Sequence, residues 1–501
     1  MEIPAKRSRV HPFLAVLLAE TVILQIAQLP LVFSFDFFAF SDTGANLVLQ
    51  YLLSLGYKPT IDFFYPYGLL PLLVGNLWFR ILGATPTAVQ IFMVVCGFVI
   101  AWALSELVRT LQIGLVGKVL AVVALGYAIN PAYPNLAHAM EAAIIATALS
   151  RQASGHLGTA LSLAIAAIFV KPALGYVYSG VLVAQIVFEN MRTRSGMRAL
   201  AISFAPAVIT AACLVTLEAA AYGPSLLPRT LLPISGMANY RTMHYGFFFG
   251  IGRNFWRPPG ARFTYYLGTS AGFFLAGTAF LMVSGLAYVF AFLRSDVDGL
   301  YHRRIGILLT CGILELAFVT IIFGNAWSWY VCAYPLVFGI VAAADLDRIS
   351  KVAVALFCLV ALLGYKTLGH ATLDAWLTQV RTSDTRDLWA SPAETAEWQT
   401  AVGESRLHRP AVIVSANGAA GLMFPEFDKP VGAFLFPAAV PDVELHRTRS
   451  QILAANTVVL PLAMYSYIPP WCFDEILKTD FETIRKGQYF EVLRRKVQNR
   501  P

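Results

Sequence analysis

Apolar runs about as long as a lipid bilayer is thick recur through the first three quarters of this chain, at roughly 12–33, 88–108, 115–131, 137–150, 156–170, 173–190, 199–221, 267–293, 305–323, 327–345 and 351–368. A helix needs about 20 apolar residues to cross the hydrocarbon layer. Inside that layer every backbone N–H and C=O must find a partner within the segment, so each run has to be helical. Only 13% of the 501 residues are charged and 57% are apolar, a charge content about half that of soluble domains. The pattern predicts a polytopic α-helical membrane protein with about 11–12 transmembrane helices. External juxtamembrane helices and a small C-terminal α/β soluble domain complete the expected fold.

Charge sets the expected topology. Lys6, Arg7 and Arg9 precede the first run and place the N-terminus in the cytoplasm. Pro30-Leu-Val-Phe does not look like a cleavage site, so the first span is read as retained. A shorter run at 69–83 carries Arg80, and whether it crosses decides the side of everything after it. If it stays on the outer leaflet, Arg109, Lys118, Arg151, Arg192, Arg194, Arg198, Arg294, Arg303, Arg304, Arg348 and Lys351 all fall inside, as positive-inside bias requires. The expected organisation is therefore a membrane domain over 1–368 and an extracytoplasmic domain over 369–501. Within the first, 34–87 and 222–266 form external loops. The net charge of +8 belongs with anionic lipid rather than nucleic acid. The six cysteines, five of them inside apolar runs, form no Cys-x-x-Cys pair and read as small buried residues.

Beyond the first span lies FDFFAFSDTGANLVLQYLLSLGYKPTIDFFYPYG, residues 35–68. Three carboxylates, Asp36, Asp42 and Asp62, stand there at a membrane border, where charge is costly and usually functional. Downstream, PNLAHAMEAA (134–143) places His138 and Glu141 three apart on one helical face. Lys171-Pro172 follows the run at 156–170. The first-loop pattern, Asp-x-Gly and then Asp-Phe-x-x-Tyr-x-Tyr-Gly, resembles the first external loop of the C-type membrane glycosyltransferases, which include the protein mannosyltransferases and the lipid A aminoarabinose transferases. The resemblance covers 12–190 and, weakly, 324–345.

That resemblance implies an inverting glycosyltransferase that moves a sugar from a polyprenyl-phosphate carrier to a hydroxyl on a lipid, glycan or protein acceptor. The reaction would take place outside a bacterial inner membrane. Asp42 is the implied catalytic base. His138 and Glu141 form a second acidic site that could hold a divalent metal, orient the base or bind acceptor; no other cofactor is implied. The family more often shows Arg-x-Asp at that place. Lys171 is a candidate for the donor phosphate, and Asp62, Tyr65 and Tyr67 for shaping the loop or meeting substrate. As simpler readings, Asp36 is a border charge, Asp62 a cap or turn residue, Tyr65 and Tyr67 an interfacial aromatic belt, and Lys171 a snorkelling lysine.

The 222–266 loop holds Arg229, Arg241, Arg253, Arg257 and Arg262 and no acidic residue. Arginine suits bidentate phosphate contact, so Arg241, Arg253 and Arg257 are the candidates for the donor phosphate; contact with anionic lipid and an inverted topology are the alternative readings. In the tail, Ser391-Pro392-Ala393-Glu394 reads as a helix start. Strands are expected at 410–416, 457–462 and 489–496, helices at 442–455 and 473–484, and a bend at Asn417-Gly418. A transporter or lipid flippase is the competing function. Glu106, Glu218 and Glu315 within or near spans favour it, whereas the absence of an internal repeat does not.

Overall fold

The first apolar run breaks before it reaches Phe33. Helix α1 (Pro12–Ala27) ends ahead of Gln28, and one turn of helix (Leu29–Val32) follows with Pro30 inside it. Proline offers no N–H to the carbonyl four residues back, so the helix stops and restarts with proline in its first turn. The span expected over 12–33 is thus a 16-residue helix and a separate turn. The computed structural model describes residues 12–65, 67–110, 135–194, 196–232, 370, 372–415, 417–433, 440–465, 468 and 470–496. The runs expected at 115–131 and from 267 to 368 lie outside these residues, as do Arg241, Arg253 and Arg257.

After α1 come α2 (Phe35–Phe40), α3 (Asp42–Ser54), α4 (Leu70–Leu82), α5 (Pro86–Thr110), α6 (Leu136–Ala153), α7 (Leu157–Ile168), α8 (Pro172–Thr193) and α9 (Gly196–Tyr222). Two of these contain stretches long and apolar enough to cross a membrane, Pro86–Leu107 and Gly196–Tyr222. Helix α4 has 13 residues, about 20 Å at 1.5 Å per residue, which is short of the ~30 Å hydrocarbon layer. Helix α7 packs against α6, α8 and α9. Its Ala160, Ala164 and Ala167, with Ala142 and Ala146 of α6, are fully buried; small residues let helix backbones approach closely where lipid gives no hydrophobic drive. Helix α9 buries only Ala207 and Glu218 and exposes Met197, Ile202, Val208 and Ile209. Such an apolar exposed face suits lipid.

The C-terminal domain is α/β, as its alternating pattern predicts. A two-stranded ribbon, β1 (Val380–Arg381) and β2 (Trp389–Ala390), precedes a four-stranded sheet of order β3-β4-β6-β5. Strand β3 (Ala411–Ile413) runs parallel to β4 (Thr457–Pro461), while β6 (Phe490–Arg495) is antiparallel to both β4 and β5 (Phe481–Lys486). Helices α10 (Pro392–Leu407), α11 (Ala419–Met423), α12 (Asp442–Ala454) and α13 (Pro470–Asp480) connect them. Ser391 caps α10 by accepting from Glu394 N at 3.1 Å. The helix expected over 473–484 ends at Asp480, and 481–486 instead forms β5. FETIRK fits a strand at the sheet edge, with Glu482, Thr483, Arg485 and Lys486 exposed around an irregularity between Thr483 and Arg485.

The aromatic segment after the first span packs inside the protein. Helix α2 inserts into the C-terminal domain, where Phe35 and Phe40 are fully buried against Trp398 at ring distances of 5.0 and 5.6 Å. Phe40 also meets Phe490 at 5.7 Å. Trp389 N donates to Phe33 O at 3.0 Å. One core therefore runs from α1 and α5 through α2 into the sheet.

Candidate active site between the helices and the C-terminal domain

Four side chains from three separate stretches meet in one buried cluster. His138 and Glu141 lie in the first turns of α6, which starts cleanly because Asn135 accepts from Ala137 N at 2.9 Å. Lys171 is the residue before α8, with Pro172 at the first helical position. Tyr67 comes from the segment leading into α4. That segment is tied to the α7–α8 turn by Gly68 N donating to Val170 O at 2.9 Å and Leu70 N donating to Phe169 O at 3.1 Å. A Cβ on Gly68 would stand 2.0 Å from Phe169 O, so only glycine permits this approach.

Lys171 Nζ lies 3.0 Å from Glu141 Oε2 and 2.6 Å from His138 Nδ1. His138 Nε2 is 3.0 Å from Tyr67 Oη, and Lys171 Nζ lies 5.5 Å from the Tyr67 ring centre. An ammonium can only donate, so Nδ1 accepts and the neutral ring carries its proton on Nε2, which donates to Tyr67. Lys171 is 6% exposed, His138 3% and Glu141 not at all. Charges this deep cost several kcal/mol unless paired. The ion pair meets that requirement and fixes the lysine. Lys171 is thus a buried, partnered residue rather than a snorkelling one.

Asp42 opens α3, and Asn46 one turn later occupies the same helix face. Asn46 Oδ1 accepts from Leu136 N at 3.3 Å, which ties α3 to the start of α6, one turn from His138. A small cleft here is lined by Asn46, Gln50, Tyr65, Leu72, Asn135 and Leu136. Tyr65 is 4% exposed and packs edge-on to Tyr67 at 5.4 Å, so the pair packs against the protein at the cluster. Asp62 closes its own turn, Oδ2 accepting from Lys58 N at 2.8 Å; it shapes the loop and does not join the cluster. Among the described residues no group of three or more His, Cys, Asp or Glu could hold a metal. His138 is committed at both ring nitrogens, which leaves the second acidic site one free carboxylate oxygen at most.

Several residues that build the site carry no local sequence signal. Glu444 of α12 is fully buried and accepts from Phe64 N at 2.6 Å and Ala433 N at 2.5 Å. Arg447 donates to Asp62 O and lies 4.3 Å from the Tyr57 ring centre. Asn417 reaches the start of α3. Asn46 is a cap-like polar residue whose long-range partner, Leu136 N, only folding reveals. Asp36 and Glu394 face one another where α2 enters the C-terminal domain. Burial pushes Asp36 up to about 6, and burial together with Asp36 pushes Glu394 up to about 7.

No family model matches the chain, and no curated protein matches it. Among solved structures it is similar to the crystal structure of ArnT from Cupriavidus metallidurans bound to undecaprenyl phosphate. The two are 11% identical over 97% of this chain and 98% of that chain, with a TM-score of 0.38. A likeness at that score carries no argument about activity, and function rests on the residues described above.

Proposed function

We propose that the chain is an inverting glycosyltransferase that takes a sugar from a polyprenyl-phosphate carrier on the extracytoplasmic side of a bacterial inner membrane. The observation that carries this reading is the buried Tyr67–His138–Lys171–Glu141 cluster, joined through Asn46 to the helix that begins with Asp42. A carboxylate on one side and a held cation on the other are the two parts such a transfer needs. The acceptor O–H gives its proton to Asp42 as its oxygen bonds to the anomeric carbon. The bond from that carbon to the phosphate oxygen breaks, and the pair of electrons leaves with the phosphate. The leaving group needs no proton, so no general acid is required. Lys171, held at fixed geometry by Glu141 and His138, supplies a directed donor to the departing phosphate. Glu141 offsets its charge, so the net attraction for an anion falls to Arg241, Arg253 and Arg257. An oxocarbenium-like centre would also gain from nearby negative charge, a role this reading gives to Glu141.

Glu218 favours a second reading. It lies in a helix of membrane-spanning length and is fully buried, and a carboxylate so placed is what a proton-coupled transporter uses. One experiment separates the two. Undecaprenyl-phosphate-linked mannose, glucose, arabinose and aminoarabinose are offered to the purified protein with bacterial envelope acceptors, and released undecaprenyl phosphate is measured. Asp42→Asn should lower release by about 10³-fold while binding of undecaprenyl phosphate stays within twofold. Full release from the Asp42→Asn protein defeats the assignment of the base. Absence of release from the unaltered protein with every donor, alongside pH-dependent lipid or solute movement in vesicles, favours the transporter.

A further inference from the structure

Helix α3 starts without a cap of its own. Ser41, in the N-cap position with extended backbone (φ −131°, ψ −163°), makes no side-chain bond to the first turn, although serine there ordinarily accepts from the second or third helical N–H. What fixes the start of α3 comes from 376 residues away. Asn417 Nδ2 donates to Ser41 O at 2.5 Å, and Asn417 N donates to Phe40 O at 3.1 Å. The same side chain accepts from Ala419 N at 3.0 Å through Oδ1, starting α11. Asn417 is 1% exposed. Beside it, a Cβ on Gly44 would stand 2.5 Å from Ala419 Cβ and 2.1 Å from Phe38 O. The glycine of the Asp-x-Gly motif is therefore where α11 of the C-terminal domain and α2 press on α3.

Every polar group of Asn417 is committed, two toward the residues just ahead of Asp42 and two, to Ala419 N and Ser415 Oγ, toward its own domain. Asparagine alone offers a donor and an acceptor at this length. We infer that Asn417 is a positioning residue for Asp42: through Ser41 and Phe40 it sets where α3 begins, and so makes the C-terminal domain a working part of the transfer site. This rests on the reading of Asp42 as base. The domain's second grip, Glu444 and Arg447 on Phe64 and Asp62, holds the other half of the loop and provides an internal comparison.

Asn417→Asp is the discriminating variant. It keeps an acceptor for Ala419 N and loses the donor to Ser41 O, so α11 retains its cap while α3 is released. In the full-length protein, transfer from the undecaprenyl-phosphate-linked sugars should fall in kcat by about 30-fold to 100-fold, with KM for donor within twofold. Amide exchange over 42–48 should rise about tenfold, with 392–407 and 442–454 unchanged. Glu444→Gln should raise exchange over 62–66 and leave 42–48 as it was. If Asp42→Asn abolishes transfer while Asn417→Asp matches the unaltered protein in kcat and in exchange over 42–48, the positioning role is overturned and the base assignment stands. If Asp42→Asn transfers normally, both fall. Exchange raised throughout the C-terminal domain, with kcat and KM altered together, makes Asn417 a folding residue and also overturns the inference.

Discussion

Asp36 and Glu394 make the union of loop and C-terminal domain sensitive to pH, and the size of the effect follows from their burial. Asp36 rises from 3.8 to about 6 and Glu394 from 4.5 to about 7. Each pKa unit is worth about 1.4 kcal/mol, so either carboxylate alone contributes about 3 kcal/mol. Part of the Glu394 rise is repulsion from Asp36, so the pair is worth less than twice that. Both values are higher folded than unfolded, and the folded protein binds protons more tightly between about pH 4 and 7. Stability is fully present below the ordinary carboxylate range and is lost as pH climbs through about 6 to 7. Asp36→Asn removes one buried charge and relieves Glu394. It should stabilise the protein by about 3 kcal/mol at pH 8 and by about 1.6 kcal/mol at pH 5. Thermal unfolding of the full chain in detergent, followed by tryptophan fluorescence, reads this directly, because Trp398 is buried against Phe35 and Phe40 in the same core. The unaltered protein should lose several degrees of Tm between pH 5 and 8, and Asp36→Asn should flatten that slope. A Tm that rises with pH, or an Asp36→Asn gain equal at both pH values, would show that the two carboxylates are solvated and the reasoning wrong.

Two further outcomes test the cluster. Lys171→Met strands Glu141 in the interior and should cost about 3–5 kcal/mol, whereas Lys171→Met with Glu141→Gln should recover much of that stability; thermal unfolding measures the recovery, and undecaprenyl phosphate release should stay low in the double variant. Gly68→Ala drives a Cβ onto Phe169 O and should cost about 1–3 kcal/mol, with amide exchange at Gly68 and Leu70 rising as their bonds to Val170 and Phe169 open.

What was legible in the sequence is what depends on near neighbours. Ser391-Pro392-Ala-Glu394 specifies a helix start by local hydrogen bonding alone, and α10 begins there. His138 and Glu141 share a face because the helical repeat puts them there, and Lys171-Pro172 marks the start of α8 for the same kind of reason. Boundaries failed where a local rule was outweighed. The run at 12–33 is mostly apolar, yet Pro30 ends the helix, and 481–484 reads as the end of a helix yet pairs with β6 because its outward charges suit a sheet edge. The aromatic residues of FDFFAF carry no reading of their own; only Asp36 is read there, as a border charge. Aromatic residues next to a span ordinarily sit in the lipid headgroup layer, and nothing within the segment says that Phe35 and Phe40 fill a core whose other half lies more than 350 residues away. The same holds for Asn417: a bend residue by its local sequence, it acquires its role only when its amide meets the carbonyl of Ser41. The hydrogen-bonding groups of an asparagine are short-range and directional, so a sequence can announce that they exist but not which distant backbone they will satisfy. The Asp-x-Gly motif sits between these extremes. Its aspartate opens a helix that has no side-chain cap of its own, and its glycine is required by α11, a helix from the other end of the chain. A motif read as chemistry is therefore also a docking surface, which is why the loop and the C-terminal domain have to be tested together.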